Sequence, residues 1–273
     1  MSSPASAPEG DLRARVEALD WYHTIELAPG LLTPGWFDLR GFVDQVGFPG
    51  DLSGKRCLDV GSFDGFWAFT MEQRAAEEVV AVDVLDPHGW DWPIGSDSET
   101  VAAIGKRKAK GAGFEIARES LGSSVQRHER SVYDLDPDEL GTFDFVYVGS
   151  LLLHLRDPIR AIERVRSVCR GEALFVDAID LELEILRKRP VVELDGLGRP
   201  WWWRPSMAGF VRMVEVGGFE LASKPRRFFM PPGGGHNVTK VKPRALLNKA
   251  GRLNAITAWR GDPHASILGR PRA

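Results

Sequence analysis

The stretch CLDVGSFDGFWAF, Cys57–Phe69, sets a short apolar run directly before an acid and two glycines. Cys57–Val60 reads as a buried strand and Phe66–Phe69 as the opening of a helix, with a glycine turn between them. Such a turn, at the carboxyl end of a first strand, is where open α/β sheets bind nucleotides. A dinucleotide fold places G-x-G-x-x-G there, so that a diphosphate can approach the helix amino terminus. Here Asp59 and Asp64 flank Gly61 and precede Gly65, and two carboxylates disfavour a diphosphate.

A ligand with cationic groups fits this turn better, and S-adenosylmethionine carries a sulfonium and an ammonium. The next strand, EVVAVDVL, holds Asp83, 22 residues beyond Gly61, where an acid can accept both ribose hydroxyls. Nicotinamide folds share that acid, so it points to a nucleoside without choosing one. At the end of a third, weaker strand in SVQRHERSVYDL, Ser131, Val132 and Tyr133 are placed to line an adenine slot.

The rest of the chain alternates in the same way. Helical patterns follow at FWAFTMEQRAA, VAAIGKRKAKGAGFEIARESL, DPIRAIERVRSVC and SMAGFVRMVEVGGF. Strand patterns fall at TFDFVYVGSLL, EALFVDAID, FELASKPRRFFM and HASILGR. Alternating βαβ units predict an α/β fold, a doubly wound, mostly parallel seven-stranded sheet with ligands beyond its carboxyl ends. Residues 1–45 read as a flexible tail and an aromatic wrap around WYHTIELAPGLLTPGWFDLR, and residues 46–273 as the main domain. Two inserts, 181–205 and 231–263 with its PPGGGHN loop, break the alternation and are expected on the acceptor side. A length of 273 residues suits one sizeable core with such additions.

At these residues the sequence resembles the class I S-adenosylmethionine-dependent methyltransferases, over about Lys55–Phe229. LDVGSFDG, VVAVDV and FDFVYVGSLLLHL are the matching motifs. The resemblance implies Asp59, Gly61, Ser62 and Gly65 around the amino-acid end of the cofactor and Asp83 on the ribose. WYHTIEL, TPGWFD, DVGSFDGFWAF and WDWP together look like the branch labelled tRNA wobble-uridine methyltransferase. That branch is also similar to actinobacterial O-methyltransferases acting on sugars, polysaccharides and secondary metabolites, including one that caps methylated mannose polysaccharides in mycobacteria.

O-methylation needs a hydroxyl in line with the methyl group, and a general base accelerates it about 10²–10⁴-fold. His154, in GSLLLHLRDP just past the fourth strand, is the candidate base, an unperturbed imidazole being largely neutral at cellular pH. Capping the next helix is its competing role. Asp177 and Asp180 in FVDAID share that rim, where they can orient His154, bind sugar hydroxyls or hold Mg²⁺. His23 is a second candidate base or acceptor ligand, with packing as the alternative. Trp90 in HGWDWP and Trp202 in WWWRP offer faces for sugars or bases, or for the core. Arg204 suits a carboxylate or phosphate, or a surface ion pair.

The formal charge of −3 hides an asymmetry: Lys224 onward has eleven Lys or Arg and one acid, Asp262. That basic tail either meets an anionic acceptor or docks on its own acidic body. Three functions follow: an O-methyltransferase for a small sugar, glycoside or oligosaccharide; a tRNA-modifying enzyme; and a non-catalytic cofactor-binding partner protein. No apolar run is long enough to span a membrane. Cys57 and Cys169, buried and far apart in sequence, suit a reducing, cytoplasmic setting.

Overall fold

A computed structural model describes residues 9–186, 189–195, 201–236, 244 and 249–273. The tail over residues 1–8 and parts of both inserts lie outside them. Eight strands build the main sheet: β1 (Arg56–Val60), β2 (Glu78–Asp83), β3 (Gln126–Glu129), β4 (Phe143–Gly149), β5 (Cys169–Ala178), β6 (Phe219–Leu221), β7 (Arg226–Met230) and β8 (Asp262–Pro271). The order across the sheet is β3-β2-β1-β4-β5-β8, with β6 and β7 both paired to β8. The first five strands are parallel, and β8 runs antiparallel to β5.

FELASKPRRFFM, expected as one strand, is interrupted at residues 222–225, where Pro225 has no N–H to donate. Its halves fill a single edge position, so eight strands occupy the seven expected places. VAAIGKRKAKGAGFEIARESL likewise divides, into α3 (Ser98–Lys108) and α4 (Ala112–Leu121). The other helices of eight or more residues are α1 (Glu9–Glu17), α2 (Phe66–Gln73), α5 (Pro158–Val168), α6 (Met207–Val216) and α7 (Lys249–Arg260).

The strands read as near-continuous apolar runs because both faces are covered. Cys57 and Val79 point into one core with Trp67, Phe69 and Phe114, whereas Leu58 and Val80 point into the other with Ile162, Val165 and Phe210. The aromatic wrap belongs to the first core: Trp21, Ile25, Leu27, Phe37 and Leu39 are buried there. Within it Trp21–His23 pairs in parallel with Gly35–Phe37. Asp38 N–H then donates to the Pro231 carbonyl and Gly233 N–H to that of Trp36, fastening the wrap to the second insert.

Gly65 caps α2 at φ +86°, and a Cβ there would lie 2.5 Å from the Phe69 ring and 2.8 Å from that of Phe114. Its absent side chain serves helix packing, not only ligand approach. Gly65→Ala is expected to destabilise the fold by about 3 kcal/mol or more, from left-handed strain and overpacking together. Urea unfolding measures this; an unchanged midpoint would overturn it.

Candidate functional site

The glycine turn spends several of its amides internally. Gly61 and Ser62 N–H both donate to the Val82 carbonyl, at 2.9 and 3.3 Å, and Phe63 N–H donates to Asp83 Oδ2 at 2.9 Å. At the amino end of α2, Ala68 N–H donates to Asp59 Oδ2 at 3.1 Å. A carboxylate therefore sits where a dinucleotide fold would place its diphosphate. A Cβ on Gly61, at φ +78°, would lie 3.3 Å from the Leu151 side chain. Beside it the buried Ser62 hydroxyl has no hydrogen-bond partner among the described residues. Burial, and then the nearby charges of Asp83 and Asp64, push the Asp59 carboxyl up to about 8.

Asp83 ends β2 at the same crest, where Oδ1 accepts from Val84 N–H at 2.8 Å and from Lys108 Nζ at 2.5 Å. Val132 is buried past the end of β3. Next to it, Tyr133 donates its hydroxyl to Asp91 Oδ2 at 2.7 Å, and burial with that carboxylate keeps the phenol protonated.

Past β4 come Ser150, at φ +49°, and the turn Leu152–His154. Asp177 holds that turn from below, accepting from Leu153 N–H at 3.2 Å, while Ala178 N–H donates to its other oxygen at 2.7 Å. Burial raises Asp177 to about 7. It thus positions the segment bearing His154 through the backbone. Asp180 faces elsewhere, with Arg204 at 3.1 Å and Glu182 N–H donating at 2.8 Å. No group of three or more His, Cys, Asp or Glu side chains that could hold a metal ion forms among the described residues.

His23 is buried with Nδ1 2.6 Å from Asp64 Oδ1 and its ring stacked on Phe66. Asp64 Oδ2 also accepts from Tyr22 and His23 N–H at 2.9 and 2.7 Å. The second acid of the turn thus fastens the wrap rather than a ligand. Trp90 stacks on Trp92 and donates to the Val84 carbonyl, whereas Trp202 donates to the Asp91 carbonyl at 2.6 Å and lies under the Arg156 guanidinium. Asp91 also accepts from Arg156 N–H, so it joins the loops after β2, β3 and β4 to the first insert.

Several residues here escaped sequence reasoning. Tyr22, next to His23, bonds the Ser150 side chain, and burial raises its phenol, the charges of Asp262, Asp177 and Asp64 adding to this. His236, in the PPGGGHN loop, packs on Trp36 with ring centroids 4.3 Å apart. His264 on β8 is buried beside Asp262, its Nδ1 3.1 Å from that residue's carbonyl. Burial lowers both imidazoles, which keeps them neutral. Their elements lie far from the glycine turn in sequence, so spacing carried no signal. Cys57 and Cys169 are free and buried, and no helix among the described residues is long and apolar enough to cross a membrane. In the basic tail, Arg227, Arg252 and Arg270 pair with Glu184, Glu182 and Glu172 of the body.

No protein-family model matches the sequence, nor does any curated protein. Solved structures do match. The N-terminal domain of EvdMO1, in the presence of S-adenosylhomocysteine and D-fucose, aligns with 98% of this chain and 100% of its own length (TM-score 0.56, 15% identity). The same domain with S-adenosylhomocysteine bound gives a TM-score of 0.55 over the same coverage, also at 15% identity. A chain from the complex between the Haloferax volcanii Trm112 methyltransferase activator and a methyltransferase covers 84% of this chain and 87% of its own (TM-score 0.51, 12% identity). At such identities the likeness is one of fold. The chain has the Rossmann-like methyltransferase fold, a mostly parallel sheet flanked by helices.

Proposed function

We propose that the chain transfers a methyl group from S-adenosylmethionine to a hydroxyl of a small acceptor, a sugar, glycoside or oligosaccharide. One observation carries the cofactor: a carboxylate, Asp59, accepts from the helix amino end where a diphosphate would bind, while Asp83 ends the next strand at the ribose position, held there by Lys108. The unpartnered Ser62 hydroxyl fits the amino-acid end of such a ligand. When bound, the cofactor supplies an electrophilic methyl group on a sulfonium. Asp83 holds the nucleoside by its hydroxyls, and ionised Asp59 balances the ligand's positive charge. In this reading the packed rings of Tyr22 and Phe63, 5.5 Å apart, supply the apolar surface beside the turn that limits water.

An aliphatic hydroxyl must lose its proton as it attacks. His154, on the turn seated by Asp177, accepts that proton in this reading. The sugar class draws support from the EvdMO1 domain, studied with D-fucose, and from the indoles of the first insert. Pairing of the basic tail with body acids speaks against a nucleic-acid surface there.

The test is labelled methyl transfer to sugars, phenolic metabolites and tRNA, with and without Mg²⁺. A sugar product without any partner protein is expected. Transfer to tRNA alone, with binding that collapses as salt rises, would overturn the acceptor class. His154→Ala should lower turnover about 10²–10⁴-fold with cofactor affinity intact; unchanged turnover would remove its role as base.

A further inference from the structure

Helix α3 is held to the protein in an unusual way. Among its residues with described side chains, only Lys108 is buried, at 7% exposure. A surface helix normally anchors by an apolar stripe, but this one anchors by an ammonium group. Lys108 Nζ lies 2.5 Å from Asp83 Oδ1 and faces the Trp90 and Phe63 rings at 4.8 and 5.3 Å. It occupies a box of one carboxylate and two aromatic faces, which suits a cation.

The same contact uses up Asp83. With Val84 N–H and Lys108 on Oδ1 and Phe63 N–H on Oδ2, one lone-pair direction is left, too few for two ribose hydroxyls. Immediately after Lys108 the backbone is strained. Ala109 and Lys110 are both left-handed, at φ 43° and 51°, although neither is glycine. Two such residues in succession are costly and mark a joint that relaxes when α3 moves.

We propose that α3 is a latch on the nucleoside site: Lys108 occupies the place of the ribose hydroxyls on Asp83, and the entering nucleoside displaces it. The idea rests on the cofactor reading above. Binding then draws on only the fraction of molecules with α3 released, so the apparent dissociation constant is the intrinsic one divided by that fraction. Lys108→Met keeps an unbranched stem over Trp90 and Phe63 and removes the competing charge.

Calorimetry of the full chain with S-adenosylhomocysteine tests this. Lys108→Met is expected to bind tenfold or more tightly than the wild type. Equal or weaker binding by the variant overturns the latch, since Lys108 would then be idle or a ligand of the nucleoside. If neither protein binds, the cofactor reading falls and the latch with it. Should the variant not fold, hydrogen exchange on the wild type decides. The latch requires amides of residues 98–108 to exchange faster with ligand present while those of the glycine turn slow. Protection or no change in α3 alongside a slowed turn overturns it, and no response at either place sinks the cofactor reading instead.

Discussion

Asp59→Asn is expected to raise the melting temperature of the ligand-free protein at pH 8 and, at that pH, to weaken S-adenosylmethionine binding by tenfold or more. Both effects have one origin. Burial beside Asp83 and Asp64 lifts the Asp59 carboxyl to about 8, whereas in the unfolded chain it titrates near the ordinary value of about 4. Between those two values the unfolded chain has released the proton and the folded one has not. Stability is therefore complete below about pH 4, falls as pH rises toward 8, and levels off above it. Asparagine resembles the protonated acid, keeps an acceptor for Ala68 N–H and carries no such penalty. The gain at pH 8 is of order 3–5 kcal/mol and should vanish as pH approaches 4. A cationic ligand, in contrast, needs the ionised acid, so wild-type affinity should climb with pH through about 8 and the variant's should not. Thermal melts across pH, paired with calorimetry, check both halves. A variant no more stable at pH 8, or one binding the cofactor as well as the wild type, would refute the assignment.

Asp64→Ala should release the aromatic wrap while leaving the sheet folded. The substitution strips the acceptor from Tyr22 N–H, His23 N–H and the His23 ring at once. Each orphaned buried donor costs about 1–3 kcal/mol, giving a loss of roughly 3–5 kcal/mol after relaxation. Amide exchange over residues 21–37 should accelerate by orders of magnitude, with β1, β4 and β5 unaffected. Asp64→Asn keeps one acceptor and should fall between. If exchange in the wrap were unaltered, the carboxylate would not be what holds it.

How legible these features were in the sequence depended on how local their causes are. The glycine turn, Asp83 and the alternation of strands and helices arise within short stretches, and they are where pattern and spacing place them. The split of FELASKPRRFFM was also written locally, in Pro225, but was masked by apolar residues on both sides. Long-range pairings were not legible. Asp59 and Asp64 look equivalent around Gly61, yet one caps α2 and the other binds the wrap, because only the fold brings Tyr22 and His23 there. Sequence alone leaves Trp90 and Trp202 open between recognition and core packing, and Arg204 between recognition and an ion pair; in the fold each has a partner within the protein, Lys108, Asp91 and Asp180 respectively. His236 and His264 sit in elements whose approach to Phe37 no periodicity foretells.

The bridge between Phe37 and Pro232 joins positions roughly 195 residues apart. Synthesis therefore yields the wrap roughly 195 residues ahead of its docking partner. Until β8 has emerged and closed the sheet, Trp21, Phe37 and Leu39 have no complete surface to bury against, and closing so long a loop is entropically demanding. Nascent chains should thus spend their elongation with an aromatic flank uncovered, and expression should respond to chaperone supply more than the mature protein's stability suggests.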